Sequence, residues 1–293
     1  MNFVVKPLHP LFAAEITGLD LRTPPPPDVV ASIDAAMDQY AVVVVRDQQF
    51  DDDQQLAFAK AMGPLESTVA VVDQHLHRLK YREMVDISNL DINGSVIAAD
   101  DRRRMFNLGN LLWHSDSSFK ATPAKYSMLH ARVIPPSGGE TEFADMRAAY
   151  DALSAAQKSQ IESLVCDHSL IYSRALLGFE DFTAEEKSQF APVPQRLVRR
   201  HAGSGRRSIY LSAHIGTIHG RLRPEAMVLI RELMEHATQR QFVYSHQWRL
   251  HDLVIWDNRC TMHRARPYDE RNYKRDMRRL TLEDSMPTLA QPL

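Results

Sequence analysis

The sequence predicts a mainly β fold with helices, of sandwich or jelly-roll type. Three observations carry that expectation. From 196 onward short runs read as strands, many of them against few helices. The helical segments between them do not alternate with strands as βαβ units would. In 242–250, Phe242, Tyr244, His246, Trp248 and Leu250 alternate with Val243, Ser245, Gln247 and Arg249. The whole chain, 1–293, reads as a single domain with helical decoration.

In chain order, PPPP at 24–27 is a stiff break before a helix over 28–40, and YAVVVVRDQ (40–48) follows as a buried strand. In DDDQQLAFAKAMG (51–63), aspartates cap a helix and a glycine ends it. Residues 66–110 carry scattered charges and turn residues without a clear period. LLWHSDSSF (111–119) reads as buried strand. Ser154 with Gln157 and Thr183 with Glu186 are capping-box pairs that open two helices, the first over 154–165. From 196 onward RLVRRH, RRSIYLS, QFVYSHQWRL and DLVIWDN read as strands, with a helix at 224–237.

Composition excludes several classes. At 44% hydrophobic and 25% charged, the 293 residues match an ordinary soluble globular protein. A formal charge of -2 gives no electrostatic case for nucleic acid or an anionic membrane. No run of about 18 apolar residues exists to span a bilayer. MNFVVKPLHPLF has no continuous apolar segment of the signal-peptide kind, and two cysteines, Cys166 and Cys260, fit a reducing cytoplasm better than a disulfide framework.

The chemistry begins at His114 and Asp116. On a strand, residues two apart share a face, so this imidazole and carboxylate can converge on one metal ion. Two histidines and a carboxylate on one face are the ligand set of non-haem iron(II) oxygenases. The pair alone is weak, because 13 histidines and 37 acids make about one or two such pairs expected by chance. A satisfied histidine beside a surface acid stays open as the alternative. A partner lies in DLVIWDNRCTMHR, where His263 follows a strand and a turn; a loop histidine with one backbone hydrogen bond is its alternative. Beyond it Arg275, Met277, Arg279 and Thr281 share a strand face. Buried arginines there would each need an anion, whereas a solvated basic edge would not. The turn PSGG delivers a strand at Thr141, whose hydroxyl could share an anion with an arginine or could be an ordinary strand residue.

WHSDSSF, SGGET and WDNRCTMHR followed by paired arginines together resemble the taurine/2,4-D dioxygenase family. So do LHPLFAAEITGLDLR, DQQLAFAKAMGPLE, AKYSMLHARVIPPSGGETEFADMRAAYDAL, HAGSGRRSIYLSAH and EHATQRQFVY, and the likeness covers almost the whole chain. It implies a double-stranded β-helix (jelly-roll) core and an enzyme using Fe(2+), 2-oxoglutarate as co-substrate and O2, with ascorbate as the in vitro reductant. His114, Asp116 and His263 would be the metal ligands. Thr141 and Arg275 would hold the distal carboxylate of 2-oxoglutarate. Arg279, Asn110 and His201 would face the substrate, His201 having a plain loop histidine as its equal alternative. The family's first arginine usually falls one place earlier, where this chain has Lys274; one extra residue in YDERNYK restores the register to Arg275.

The branch resembled implies a small anionic aromatic substrate, an aryloxyacetate, hydroxylated beside its ether oxygen to give a phenol, glyoxylate, succinate and CO2. A dioxygenase of a sulfonate, sulfate ester or other small acid is a second reading, and a jelly-roll zinc hydrolase or inactive binding protein a third. No nucleic-acid or membrane partner is expected, and a homo-oligomer is. The physiological substrate, its enantiomer and the form of the 66–110 lid region stay open.

Overall fold

The computed structural model describes residues 3–66 and 78–292. Its largest sheet has seven strands in the order Val4–Pro7, Ala14–Thr17, Val42–Val45, Leu253–Asp257, Ala124–Val133, Asp276–Glu283 and Val85–Ser88. All its pairings are antiparallel except that of Ala14–Thr17 with Val42–Val45. A smaller sheet, Val243–His246, Thr141–Asp145 and Thr261–Ala265, faces it. Phe143 of the small sheet joins Val42, Val44, Leu129, Val254, Trp256 and Met277 of the large one in a shared core. This is the mainly β sandwich that the alternation predicts.

The four consecutive valines at 42–45 form a strand because both faces of the large sheet are covered. Val42 and Val44 pack between the sheets, while Val43 and Val45 pack under the helices Pro27–Tyr40 and Asp52–Met62, through Ile33, Met37 and Phe58. The strand is shorter than 40–48. Ala41 at φ 59 closes the preceding helix with an N–H to the Met37 carbonyl, and Asp47 at φ 57 turns the chain away.

All three local capping signals form. Asp51, Ser154 and Thr183 each accept from the backbone three residues on, and Gln54, Gln157 and Glu186 reach back. Each such cap contributes about 1 kcal/mol. The helix expected over 154–165 ends sooner, at Ile161, because Val165–His168 leaves it to pair with Val193–Arg196 and Ile215–Ile218. RLVRRH is divided between two strands in different sheets, Val193–Arg196 and Val198–Arg200. Of the 66–110 stretch, residues 67–77 lie outside the described residues; the remainder holds the edge strand Val85–Ser88, the helix Arg102–Asn107 and a 3-10 turn, Leu108–Leu111. Among the described residues no helix is long and apolar enough to cross a membrane.

Candidate active site: a buried His–Asp–His cluster between the sheets

LLWHSDSSF is not the strand its apolar flanks predict. His114 makes a single bridge to His263, each donating its backbone N–H to the other's carbonyl at 3.0 and 2.8 Å. The chain then turns at once, with Ser117 at φ 53. Asn258 causes the departure: its side-chain oxygen takes the Asp116 N–H at 3.0 Å, in place of a ladder partner. Asp116 therefore swings towards the histidines through a turn, not through the pleat of a strand.

The three side chains nonetheless converge. Nε2 of His114 lies 3.9 Å and Nε2 of His263 lies 3.7 Å from the Asp116 carboxylate, and one ligand atom from each falls within 4.8 Å of the others. All three are buried. The Nδ1 of His114 sits 2.7 Å from the Leu112 carbonyl, which only a donor can satisfy, so Nε2 carries the lone pair that faces inward. Burial pushes the His114 imidazole below its ordinary pKa and that of His263 well below it. Burial alone would raise the Asp116 carboxyl, but Arg279, then the two histidines and Ser127, together outweigh it and hold it at about 2. Two neutral imidazoles and one carboxylate are the ionisation states that a divalent iron requires. The donor set fits the metal.

Support for Asp116 comes from three further side chains. Ser127 donates to Oδ2 at 2.7 Å, Asn258 Nδ2 donates to Ser127 Oγ at 2.9 Å, and Trp256 Nε1 donates to Asn258 Oδ1 at 3.1 Å. Arg279 Nη1 donates to Oδ1 at 2.6 Å.

A cavity opens beside the cluster, and Asn110, Thr141, Arg275 and Arg279 line it along with His114 and His263. Arg275 is 7% exposed and, among the described residues, meets no carboxylate; burial pulls its pKa down to about 10, with Tyr268 opposing. Its backbone N–H is fixed by Asn89 Oδ1 at 2.8 Å. Across the cavity Thr141 begins its strand directly after the SGG turn, whose Gly138 has φ 74 and whose missing Cβ would meet the Pro267 carbonyl at 2.7 Å. A buried guanidinium and a hydroxyl facing one cavity suit a carboxylate. At the mouth Arg104 Nε donates to Glu270 Oε1 at 3.0 Å, tying Arg102–Asn107 to the loop before Arg275.

His201 is not brought to the cavity. It is fully buried elsewhere, with Nε2 on Asp257 Oδ2 at 2.9 Å and Nδ1 on Ser204 Oγ at 2.8 Å, so both ring nitrogens are engaged in holding its loop. The sequence reading also missed Asn258, Ser127 and Trp248, which act through the other site residues. Only Trp248 left a signal, as one of the alternating positions of 242–250.

The family model described as taurine catabolism dioxygenase TauD, TfdA family, matches residues 5–281. The chain belongs to that family. It is 48% identical to the alpha-ketoglutarate-dependent 2,4-dichlorophenoxyacetate dioxygenase of Cupriavidus pinatubonensis, covering 97% of this chain and 99% of that one. It is 38% identical to the (S)-phenoxypropionate/alpha-ketoglutarate-dioxygenase of Sphingobium herbicidovorans, covering 91% and 90%. A crystal structure of AAD-2 in complex with Mn(II) and N-oxalylglycine superposes with a TM-score of 0.91 at 51% identity, covering 99% of this chain and all of that one. The core is thus the jelly roll of TauD-family dioxygenases, as the motifs predicted.

Proposed function

We propose that this protein is an iron(II)- and 2-oxoglutarate-dependent dioxygenase that hydroxylates the carbon next to the ether oxygen of aryloxyacetates. The products are a phenol, glyoxylate, succinate and CO2. The observation that carries the reading is the buried His114–Asp116–His263 cluster beside a buried, carboxylate-free Arg275, in a chain 48% identical to a 2,4-dichlorophenoxyacetate dioxygenase. A zinc hydrolase would have no use for that free guanidinium.

Iron held by the three ligands, together with 2-oxoglutarate and O2, supplies the oxidation of the C–H bond. One oxygen atom enters the substrate and the other enters succinate; the hydroxylated ether, a hemiacetal, then falls apart to phenol and glyoxylate. The protein's own part is placement. Arg275 and Thr141 hold the distal carboxylate of 2-oxoglutarate, fixing its other end towards the metal ligands. Arg279 draws the substrate carboxylate towards Asp116, and Asn110 with Leu108 and Leu111 walls the aromatic body. Burial of the cluster keeps bulk water from the reacting carbon.

The same reading takes the chain as one domain. It works in a reducing cytoplasm, where Cys166 and Cys260 stay as free buried thiols, and as a homo-oligomer, which light scattering would test. The deciding experiment is a panel of aryloxyacetates, aryloxypropionates, cinnamates and taurine, scored by succinate and glyoxylate release with iron(II) and ascorbate. Aryloxyacetates should lead it; taurine turnover above every aryloxy acid would overturn the substrate class.

A further inference from the structure

Five arginines are buried among the described residues: Arg147, Arg174, Arg199, Arg275 and Arg278. Three of them meet a carboxylate, Asp145, Asp284 and Asp276 respectively for Arg147, Arg199 and Arg278. Arg275 has the co-substrate to meet. Arg174 has nothing. It is 5% exposed, its Nη1 donates to Ser173 Oγ at 3.2 Å, its guanidinium lies over the Phe106 ring at 4.5 Å, and its Nε has no partner. A buried charge without a counter-charge costs several kcal/mol, roughly, so its retention calls for an anion that arrives from outside.

The position of Arg174 says which anion. Its guanidinium lies against Gly109, where a Cβ would sit 2.3 Å from Cζ, so glycine at 109 leaves the room it occupies. The residues flanking that glycine, Leu108, Asn110 and Leu111, are cavity wall, and the guanidinium lies directly behind that wall. Its charge reaches the metal ligands: burial and then Arg279 lower its pKa, with Asp116 opposing, to about 10, while His114 and the neighbouring His214 in turn feel Arg174. Asp116 takes Arg279 and Ser127 on its two carboxylate oxygens, and among the described residues no hydrogen bond or ion pair joins it to Arg174. Arg279 spends Nη1 on Asp116 and so shares its charge between that carboxylate and an arriving one, which leaves room for a second cation.

We propose that Arg174 is a specificity-determining residue that supplies this cation, holding the substrate carboxylate from the Gly109 side of the cavity while Arg279 holds it from the Asp116 side. The assignment rests on the aryloxy-acid reading. It goes beyond it in making the preference for a free acid a property of Arg174, on the helix Leu170–Ala175, as well as of Arg279.

The test uses the iron-loaded full-length enzyme with Arg174→Met and Arg174→Lys. An aryloxyacetate and its neutral primary amide are compared by KM, and by calorimetric Kd on enzyme carrying Mn(II) and N-oxalylglycine. Arg174→Met should weaken the acid about 10-fold to 100-fold, as loss of one charge-assisted hydrogen bond requires, and leave the amide and the KM for 2-oxoglutarate within about twofold. Arg174→Lys should recover part of the loss. If Arg174→Met fails to fold, Gly109→Ala, which displaces the guanidinium without removing it, should give the same acid-selective defect. An unchanged Kd for the acid, or equal losses for acid and amide, would show that Arg174 only props the Phe106–Gly109 segment and overturn the proposal. Failure of the substrate reading shows separately, as a parent enzyme that oxidises no aryloxy acid. The acid–amide comparison, made with whichever acid it does oxidise, then decides Arg174.

Discussion

Trp248 donates its indole N–H to the Thr141 hydroxyl oxygen at 3.1 Å. With the indole on one lone pair, the Thr141 hydroxyl keeps its proton free to donate to a co-substrate carboxylate in the cavity. The indole is itself held edge-on by His246, with ring centroids 4.6 Å apart. Trp248→Phe keeps the ring and removes the donor. It should raise the KM for 2-oxoglutarate about 3-fold to 10-fold, the worth of one neutral hydrogen bond, with substrate KM unchanged. Combined with Thr141→Val the effects should fail to add, because both act on one contact.

His114→Ala, Asp116→Ala and His263→Ala should each abolish iron-dependent turnover and leave the melting cooperative, since each removes one of three ligands from a formed site. Metal analysis and circular dichroism check the two halves of the expectation. A variant that kept parental iron content and rate would remove that residue from the site.

Arg275→Ala should raise the half-saturating concentration of 2-oxoglutarate about 10-fold to 100-fold, the loss of a charge-assisted hydrogen bond of roughly 1.5–3 kcal/mol. Lys274→Ala should not, because Lys274 is exposed and Arg275 is buried at the cavity. The reverse result would place the clamp one residue earlier.

Arg279→Ala should weaken the aryloxyacetate more than 2-oxoglutarate. Esterifying the substrate should cost the parent enzyme a similar factor, and the two changes should not add. Full additivity would mean that Arg279 serves Asp116 alone, through their 2.6 Å contact.

His201→Gln should lower the melting temperature without raising substrate KM, because both ring nitrogens of His201 are spent inside the fold. Asp257→Asn should cost about 3–5 kcal/mol, since it leaves the Arg259 charge facing an amide. Burial would raise the Asp257 carboxyl, but Arg259 and His201 together hold it well below the usual carboxylate range. A depressed pKa in the folded state contributes stability that is present above the unfolded value of about 4 and is lost as the pH falls below it. Thermal melts from pH 7 to pH 3 should therefore fall more steeply for the parent than for Asp257→Asn.

What the sequence made legible was what neighbours decide. Capping boxes, the valine strand and the shared face of Arg275, Met277 and Arg279 depend on residues within a few positions, and all are present. The course of Asp116 depends on Asn258, 142 residues away, and no local pattern announces it. For His201 the likeness left a loop histidine as an equal alternative, and the structure sides with that one: its ring meets Asp257 and Ser204 and does not line the cavity.

The backbone bridge between His114 and His263 has a bearing on synthesis. Asp116 leaves the ribosome long before its partners exist: Asn258 follows 142 residues later and Arg279 163 residues later. A half-made chain carries one histidine and one carboxylate on a turn that nothing yet holds in shape. Such contacts, distant in sequence, form late in folding. The three ligand residues therefore cannot be held together until His263 has been made and bridged to His114. Competence to react arrives with the last strand.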